Sequence, residues 1–506
     1  MILTKQNIKN IKPQPGLVIP EEKIFSLPEK VLQFGTGVLL RGLPDYFIDK
    51  ANRQGIFNGR IVVVKSTGAG KTDAFDQQDG LYTLCVRGIE NGEKQEETII
   101  NSSISRVISA KENWKEILAC AHNPNLQIVI SNTTEVGISL TKDDIRLHPP
   151  HSFPGKLLAF LHERYHAFNG NEDSGMVIIP TELIPDNASL LRTILLELGK
   201  INKLDKKFIH WLETANHFCN SLVDRIVPGK LPEKDKNTIE KQLGYNDELM
   251  IMAESFRLWA IESGDEKVGE ILSFSKADEG VMIAPDIEKF RILKLRLLNA
   301  THSFVCGLAH FSNFNTVKET VTDNLFSSFI NNLMIHEIAE TIISDRISCE
   351  DACNFAAKVM DRFRNPYIDH RWLSISVQYS SKIKMRTVPL LIRYCKKAKR
   401  VPELMTLGFA GYLLFMKCHD NKKGGYSGMF NGKEYTVQDD HAAYFNEKWK
   451  LGNSDDVVDA VVADKVFWDA DLGELNGFAD RVKFYIHSLM EKGVLATIKE
   501  LQKVKV

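Results

Sequence analysis

The chain has 506 residues, with 64 Lys and Arg against 65 Asp and Glu, so its formal net charge is -1. At about 100–200 residues per domain, this length predicts two or three domains with large buried cores. A near-neutral charge provides no long-range field for nucleic acid or an anionic membrane, and no apolar run of spanning length occurs in the sequence. The first residues lack the apolar stretch of a secretion signal. We therefore expect a cytoplasmic protein, a monomer or small homo-oligomer, without nucleic-acid or membrane partners.

The eight cysteines are scattered along the chain, without a C-x-x-C pair or a clustered framework. This distribution is typical of reduced thiols in a protein core rather than of disulfides. Cys349 and Cys353 are one helical turn apart, but nothing rich in His or Cys follows to complete a metal site. We therefore expect no bound metal.

Short β-branched runs alternate with longer amphipathic stretches between about residues 30 and 180. The short runs end in Gly, Ser, Thr or Pro and are predicted strands, at residues 31–35, 60–66, 126–131 and 176–180. Helical stretches lie between them, among them residues 38–54, 111–122 and 154–168. Fully apolar strands that alternate with helices favour an α/β fold with a parallel, doubly wound sheet covered on both faces.

Beyond about residue 285 the strands largely disappear from the pattern. Helical periodicity dominates there, as in residues 286–311, 318–345 and 475–502. Residues 227–240 are polar and contain proline, which predicts a surface excursion. We therefore expect an α/β domain over residues 1–285 and a mostly α-helical C-terminal domain over residues 286–506.

A glycine-rich loop follows the first clear strand and opens a helix: Gly35-Thr36-Gly37-Val38-Leu39-Leu40-Arg41. Two glycines allow the backbone to turn tightly and approach a pyrophosphate, whose charge the start of a helix favours. The G-x-G-x-x-G pattern is incomplete because Leu40 occupies the third glycine position. A tight strand-to-helix turn is the alternative, but the position after the first strand favours dinucleotide binding.

The second strand gives no clear indication of which dinucleotide would bind. NAD is usually held by an acidic residue at the end of that strand, where this sequence has Lys65-Ser66-Thr67. A lysine there could meet the 2'-phosphate of NADP, or it could simply be an exposed residue at a strand end. The choice between NAD and NADP therefore stays open on these residues.

Two further motifs imitate known sites. Gly68-Ala69-Gly70-Lys71-Thr72 resembles a nucleoside-triphosphate loop, but Lys65 stands where that loop needs its first glycine. His162-Glu163-Arg164-Tyr165-His166 is a literal H-E-x-x-H, the zinc-protease arrangement, on a predicted helix. No clear third-ligand motif follows, so exposed polar residues on a crossover helix are the favoured interpretation.

A further candidate opens the helical half, at Lys294, Asn299 and His302, although on these residues alone a solvated lysine and a histidine with satisfied partners are the favoured interpretation. At about 100° per residue, Asn299 would lie about 140° from Lys294, with His302 between them. One helix face could then present an amine, an amide and an imidazole. A partly desolvated lysine can exchange a proton near neutral pH, an asparagine can hydrogen-bond a developing alkoxide, and a histidine can orient either.

The spacing K-x4-N-x2-H in KLRLLNATHS resembles the signature of the polyol-specific long-chain dehydrogenases, the mannitol dehydrogenase family. Further stretches resemble its motifs in the same order: FGTGVLLRG (34–42), QDGLYTL (78–84), TTEVG (133–137), PTELIPDN (180–187), FCNSLVDRIVP (218–228), ESFRLWAIE (254–262) and DLGELNGFADRV (471–482). The resemblance covers most of the chain. It implies a Rossmann-like dinucleotide-binding domain followed by a helical domain for substrate and catalysis.

The resemblance also implies roles for individual residues. Lys294 would be the general acid and base of a metal-independent hydride transfer, and His302 would position the substrate and Lys294. Asn299 and Asn187 would hold the substrate oxygen, and Asp224 would lie near the nicotinamide. The glycine loop would take the pyrophosphate of NAD, although Leu39 replaces a common aromatic residue and Lys65 leaves NADP open.

Within the family, the loop and the long C-terminal half are most similar to members that reduce D-tagaturonate to D-altronate in hexuronate breakdown. Fructuronate reduction and mannitol oxidation are near alternatives. A sugar acid needs a cation for its carboxylate, and residues 381–389 offer three, of which Arg386 is the candidate for bidentate contact; a solvated basic segment is the alternative. Two different classes of function stay open: a dinucleotide-sensing protein without turnover, and a zinc hydrolase built on His162 and His166.

Overall fold

A computed structural model describes residues 1–66, 73–133, 137–421 and 424–504. The chain divides into two compact units. Unit 1 comprises Met1–Gly88 and Lys94–Ile287, and unit 2 comprises Ile89–Glu93 and Glu288–Val506. The sequence pattern places a change of structure near residue 285, but it gives no sign that residues 89–93 group with the C-terminal unit.

Unit 1 contains thirteen strands among its described residues. They are β1 (Leu17–Val18), β2 (Glu29–Phe34), β3 (Arg60–Lys65), β4 (Tyr82–Glu90), β5 (Glu93–Asn101), β6 (Ile104–Ser109), β7 (Ile128–Ser131), β8 (Val177–Pro180), β9 (His217–Phe218), β10 (Ser221–Asp224), β11 (Ile251–Glu254), β12 (Leu258–Glu262) and β13 (Val281–Ala284). The tip of the β4–β5 connection belongs to unit 2.

The described helices of unit 1 are mostly short. They are α1 (Val38–Gly42), α2 (Pro44–Arg53), α3 (Asp73–Gln77), α4 (Trp114–Cys120), α5 (Phe153–Ala167), α6 (Asn187–Ile201), α7 (Lys206–Thr214), α8 (Glu233–Leu243) and α9 (Glu266–Ile271). Short 3-10 turns cover Ile8–Asn10, Glu22–Ser26, Glu172–Ser174 and Ser273–Ala277.

The main sheet of unit 1 has six strands in the order β6-β3-β2-β7-β8-β9, and each recorded pairing is parallel. Its strands are apolar because both faces are covered. In β3, Ile61 and Val63 pack into one hydrophobic cluster and Val62 and Val64 into another, which includes α5, α6 and α7. This arrangement confirms the predicted doubly wound sheet. The strands that follow β2 in the chain are added first on one side of it, as β3 and β6, and then on its other side, as β7, β8 and β9. The gap between β2 and β7 is therefore the topological switch point of the sheet.

Two smaller sheets complete unit 1. One has the order β1-β5-β4-β11, and the other has the order β10-β12-β13 with an antiparallel β10–β12 pair. Most of residues 227–240 lie at the surface, as predicted, and α8 begins among them at Glu233. Ile239 and Leu243 are buried there and give the otherwise polar helix an apolar side.

Unit 2 is mainly helical, as predicted. Its described α-helices are α10 (Glu288–Leu293), α11 (Thr301–Phe311), α12 (Val317–Thr322), α13 (Asn324–Asn332), α14 (Glu340–Ile342), α15 (Cys349–Phe363), α16 (Trp372–Ile375), α17 (Tyr379–Lys382), α18 (Val388–Ala398), α19 (Glu403–Phe415), α20 (Ala442–Trp449), α21 (Ser454–Val462), α22 (Lys465–Trp468), α23 (Phe478–Lys492) and α24 (Val494–Val504). A 3-10 turn covers Leu472–Glu474, and an antiparallel sheet joins β14 (Cys418–Asp420), β15 (Tyr426–Phe430) and β16 (Lys433–Val437).

Among the described residues of unit 2, three segments are π-helical: Lys294–Ala300, Leu333–Ala339 and Ile383–Thr387. Each continues directly from or into α-helix, so the hydrogen-bond spacing widens within a longer helical run. Single π-turns occur often at functional sites. None of the described helices in either unit is long and apolar enough to cross a membrane.

Candidate functional site

The glycine loop of unit 1 turns at the carboxyl end of β2. Gly35 has φ +124°, and a Cβ there would lie 2.9 Å from the backbone oxygen of Asn132. Gly37 precedes α1 with φ -62°, and a Cβ at this exposed position would meet no atom within 4 Å. Gly35 is therefore required by the protein's own backbone, whereas Gly37 leaves open space above the loop. A cofactor pyrophosphate needs such close access to backbone N–H groups.

The side chains after Gly37 fix the loop from below. Leu40 is fully buried, and Arg41 is 7% exposed with its Nη1 donating to the carbonyl oxygen of Leu249 at 2.6 Å. Any contact of Leu40 or Arg41 with a cofactor would therefore come from the backbone. Thr36, Val38 and Leu39 are half-buried.

The third glycine of the loop stands at Gly42, two positions after the one that the fingerprint predicts. A Cβ at Gly42 would lie 2.8 Å from Cγ2 of Val227, so only glycine permits this close packing. Close packing against a neighbouring strand or loop is the purpose of the third glycine in dinucleotide-binding folds. Gly42 is visible in the sequence, but a search for the fixed spacing G-x-G-x-x-G does not find it.

The ends of β7 and β8 lie beside the loop at the switch point. Glu182 accepts hydrogen bonds from the backbone N–H of Thr133 at 2.8 Å and from the Ser131 hydroxyl at 3.1 Å. Asn132 donates to the carbonyl oxygen of Thr181 at 3.0 Å. These contacts tie two strand ends together and shape the crevice in which open α/β sheets bind their ligands.

Asn187 is engaged entirely with the backbone. It is fully buried, and its Nδ2 donates to the carbonyl oxygens of Pro180, Glu182 and Ser221 at 2.9–3.1 Å. Its Oδ1 accepts from the N–H groups of Ala188 and Ser221. An amide has two N–H groups and one oxygen, so these contacts occupy all of its hydrogen-bonding groups. The geometry therefore favours a positioning role for Asn187 over contact with substrate.

Asp224 ends the strand that Asn187 holds. Asn187 exchanges two hydrogen bonds with Ser221, the first residue of β10, and Asp224 is the last. Asp224 lies opposite Leu258 in β12 and is 8% exposed. The amide of Asn187 thus fixes the strand that carries this carboxylate.

Lys65 is 8% exposed at the end of β3, opposite Ser109 of β6. The glycine-lysine segment Gly68–Thr72 lies outside the described residues, as do residues 134–136 of the TTEVG stretch. The structure therefore does not test the resemblance of this segment to a nucleoside-triphosphate loop.

Lys294 and Asn299 lie in the π-helical segment Lys294–Ala300 of unit 2, and both are half-buried. The predicted separation of about 140° assumed an α-helix. A π-turn closes between residues five apart, which brings positions such as 294 and 299 to the same side of the helix. The amine and the amide are therefore more nearly aligned than α-helical geometry would make them.

His302 follows in α11 and is 8% exposed. Its ring packs against Phe363 at 4.6 Å between centroids, His370 at 5.2 Å and Trp372 at 5.8 Å. Its Nδ1 has no hydrogen-bond partner among the described residues. Burial lowers the pKa of His302 well below its usual value, so the imidazole is neutral. One of its ring nitrogens can then donate a hydrogen bond and the other can accept one.

The side chains whose charges affect His302 most are basic. After burial, the charges of His370, Arg362, Arg386 and Lys382 lower its pKa further. We call these four residues and His302 the basic cluster. The predicted Arg386 belongs to it, and burial lowers the pKa of Arg386 as well. Lys384, by contrast, forms an ion pair with Asp469 at 2.9 Å.

The π-helical segments that carry Lys294 and Arg386 are joined directly. Arg296 donates from Nη1 to the carbonyl oxygens of Met385 at 3.1 Å and Arg386 at 2.6 Å. Sequence reasoning missed Arg362 and His370. Neither has a local motif, and both reach His302 only through the packing of α15 and the loop that follows it.

The H-E-x-x-H stretch lies on α5. His162 and His166 approach each other at 3.2 Å between Nε2 atoms, and Glu163 bonds to Nε2 of His122 at 2.7 Å. Arg164, between them in sequence, is buried and donates to three backbone carbonyls. In the part of the chain that the structure describes, no three His, Cys, Asp or Glu side chains are grouped so that they could hold a metal ion.

Comparison with known proteins agrees with these features. Residues 29–272 match the mannitol dehydrogenase Rossmann domain, and residues 286–490 match the mannitol dehydrogenase C-terminal domain. The chain is 37% identical over 478 residues to an altronate oxidoreductase of Bacillus subtilis (94% of this chain, 95% of the relative). It is 33% identical over 486 residues to one of Halalkalibacterium halodurans (94% of each).

A solved structure supports the fold. The ternary complex of Pseudomonas fluorescens mannitol 2-dehydrogenase with NAD and D-mannitol aligns with a TM-score of 0.67 at 21% identity, covering 99% of this chain and 100% of that one. With both family domains matched in order and relatives aligned along 94% of its length, the chain belongs to the mannitol dehydrogenase family.

Proposed function

We propose that this protein is an NAD-dependent altronate oxidoreductase, which interconverts D-tagaturonate and D-altronate in hexuronate breakdown. The observation that carries the proposal is the basic cluster, in which the positive charges of Arg362, Lys382 and Arg386 act on the buried ring of His302. The carboxylate of a sugar acid is attracted by this concentration of positive charge, whereas a neutral polyol is not. The altronate oxidoreductases aligned along 94% of the chain support the same substrate.

Unit 1 is the proposed dinucleotide-binding part, and the glycine loop is its pyrophosphate site. Gly37 provides open space, and Gly35 and Gly42 allow the tight backbone path that the loop needs. NAD is the proposed cofactor because a family member was solved with it. Lys65, at the end of the second strand of the sheet, keeps NADPH a necessary comparison.

When bound, the nicotinamide supplies or accepts the hydride. Lys294 is the proposed general acid and base at the oxygen that changes between carbonyl and alcohol. In reduction it gives a proton to this oxygen as the hydride reaches carbon, and in oxidation it removes that proton. Asn299 lies near it on the π-turn and can donate a hydrogen bond to the oxygen as negative charge develops.

Arg386 and Arg362 are the proposed ligands of the substrate carboxylate. A guanidinium presents two parallel N–H groups that match the two oxygens of a carboxylate. His302, which follows Lys294 and Asn299 in the sequence and contacts His370 of the basic cluster, is the proposed group that orients a hydroxyl group of the substrate.

The protein is further proposed to act in the cytoplasm on small molecules, as a monomer or small homo-oligomer. Its eight cysteines are all free thiols, which fits a reducing compartment.

A substrate panel tests the proposal. Purified protein is assayed with tagaturonate, fructuronate, fructose and tagatose, each with NADH and with NADPH. We expect tagaturonate with NADH to be the best pair, and fructose to be at least about 100-fold poorer, because fructose lacks the carboxylate that Arg386 and Arg362 are proposed to bind.

The Lys294→Ala variant provides the mechanistic control. We expect its turnover of tagaturonate to fall by about 100-fold or more, the usual contribution of general acid–base catalysis, with NADH binding unchanged. Reduction of fructuronate or fructose in preference to tagaturonate would replace the proposed substrate. NADH binding without turnover of any sugar would instead identify a dinucleotide sensor.

A further inference from the structure

Two thiols meet at the start of α15, in unit 2. Cys349 is the first residue of this helix and is exposed, and Cys353 is half-buried one turn later. Their Sγ atoms are 3.8 Å apart. Of the remaining six cysteines, five are buried and Cys395 is half-buried.

We propose that Cys349 and Cys353 are a redox pair, which a peroxide converts into a reversible disulfide that slows the enzyme. The exposed Cys349 thiol attacks the peroxide O–O bond, forms a sulfenic acid and releases water. The Cys353 thiol then attacks the Cys349 sulfur, the S–S bond forms and a second water leaves. Hydrogen peroxide is thereby reduced to two waters while the two thiols lose two hydrogens and two electrons.

The local geometry permits the bond at a modest cost. Helix geometry places Cα atoms four residues apart at about 6.2 Å, inside the range of roughly 4.4–6.8 Å that disulfides span. The sulfur atoms must still approach from 3.8 Å to bonding distance, which distorts the turn. Cys349 can move because the N–H groups of a first helical turn have no partner within the helix. Strained or exposed disulfides are readily reduced, as a reversible switch requires.

The turn that would distort also carries an anchor for the catalytic segment. Asp351 lies between the cysteines and forms a capping box with Ser348. Its Oδ1 also pairs with Nζ of Lys289 at 2.6 Å. Lys289 belongs to α10, which runs without interruption into the π-turn that begins at Lys294.

The opposite end of α15 reaches the basic cluster. Arg362 and Phe363 are the last residues of the helix, and Phe363 packs on the ring of His302. A change at the first turn of α15 can therefore act on both sides of the proposed site, through Lys289 and along the helix axis.

The bond itself is tested by differential alkylation of the intact protein. Cleavage after Arg346 and Lys358 gives one peptide, Ile347–Lys358, that contains both thiols. After peroxide treatment we expect this peptide to lose both alkylation tags and two hydrogens, and to regain both tags after dithiothreitol. A peptide that keeps both tags, or that carries only sulfinic acid, would overturn the proposal.

The effect on catalysis is tested with Cys349→Ser and Cys353→Ser, which should match the untreated wild type in turnover. We expect oxidation to lower wild-type turnover about fivefold, the factor that corresponds to one lost helix cap, and dithiothreitol to restore it. Neither serine variant should form the bond or show the reversible loss, whereas Cys395→Ser should respond like the wild type. An oxidised wild type with full turnover would overturn the regulatory part.

This second test rests on the proposed function, but the first does not. If no sugar acid is turned over at all, the proposed function fails, and the mass of the peptide still decides whether the redox pair exists.

Discussion

The carboxylate contact proposed for Arg386 can be separated from general effects of positive charge. We expect Arg386→Leu to lower kcat/KM for tagaturonate by about 10–100-fold, since a hydrogen bond to a charged group contributes about 1.5–3 kcal/mol. The loss should appear mainly in KM, because the carboxylate is not part of the reacting bond. Steady-state kinetics at fixed saturating NADH measure both parameters.

Lys384→Leu is the matched control for this substitution. It removes a cation two residues away in the same π-helical segment, but one that pairs with Asp469. Its kcat/KM should stay within about threefold of the wild type, as surface ion pairs contribute little. Arg386→Lys should recover only part of the loss because lysine lacks the fork geometry. Equal losses in the two leucine variants would refute a specific role for Arg386.

Protonation of His310 is expected to destabilise the protein in acid. Burial lowers the pKa of His310 from 6.5 to about 4, and its ring packs against Tyr435 at 4.5 Å. The unfolded chain therefore binds the proton at a higher pH than the folded chain. Between pH 6.5 and pH 4 the unfolded state holds more protons, so the free energy of unfolding falls as the pH decreases.

A His310→Phe variant isolates this contribution. When the pH is lowered from 8 to 5, protonation of His310 should reduce the free energy of unfolding of the wild type by up to about 2 kcal/mol. The variant should not show this part of the decrease. Urea unfolding at pH 8, 6 and 5 gives the difference. Parallel curves for the two proteins would show that His310 does not titrate in this way.

Single residues differ in how far the sequence alone can nominate them. Lys294, Asn299 and His302 share one short stretch, so the sequence alone proposes them as a candidate site. Arg362 and His370 contribute to the same cluster from distant positions, and only the packing of α15 and the following loop brings them to His302. The contacts of Asn187 cannot be predicted from the sequence, because its backbone partners lie at the end of β8, in the loop that follows it, at the start of β10 and in α6.

Among the elements, the glycine loop allows a test in which fold and cofactor binding are separated. Gly35→Ala places a Cβ 2.9 Å from a backbone oxygen at φ +124°, whereas Gly37→Ala meets no atom within 4 Å. We expect Gly35→Ala to destabilise the protein by about 1–3 kcal/mol. Gly37→Ala should keep wild-type stability and weaken NADH binding by about tenfold or more, since its methyl group fills the space proposed for the pyrophosphate.

Urea unfolding and a fluorescence titration with NADH measure these two effects. Gly37→Ala with undiminished NADH affinity would exclude the loop as the pyrophosphate site. Loss of stability in that variant would show that the open space belongs to the fold instead.

The π-turn at Lys294–Ala300 marks the limit of periodicity as a predictor of elements. The sequence indicates a helix there, and the helix is present. The change from α to π spacing is not visible, because apolar residues such as Leu297 and Leu298 fit a buried face with either spacing. The hydrogen bonds that Arg296 in this segment makes to the carbonyl oxygens of Met385 and Arg386 are likewise not visible in the sequence. The strands of unit 1 were easier to predict, since burial on both faces imposes a continuous apolar run.

Considered as a complete chain, the protein should show two separate ligand footprints. Residues 29–272 and 286–490 match two different family domains, and the contacts divide the chain close to the same place. We expect NADH alone to slow hydrogen exchange at the glycine loop and at the ends of β7 and β8. Altronate added to the NAD-bound enzyme should slow exchange in the segments of unit 2 that carry Lys294, His302 and Arg386, because ligand contacts suppress local opening.

Hydrogen exchange with mass spectrometry resolves these segments, and two variants from above act as controls. Gly37→Ala should lose the NADH footprint, and Arg386→Leu should lose the altronate footprint while it keeps the NADH one. If NADH protects only the π-helical segments of unit 2, the assignment of the dinucleotide to unit 1 is wrong. If altronate protects unit 1 alone, the basic cluster does not bind the sugar acid, and the carboxylate contact proposed for Arg386 is wrong.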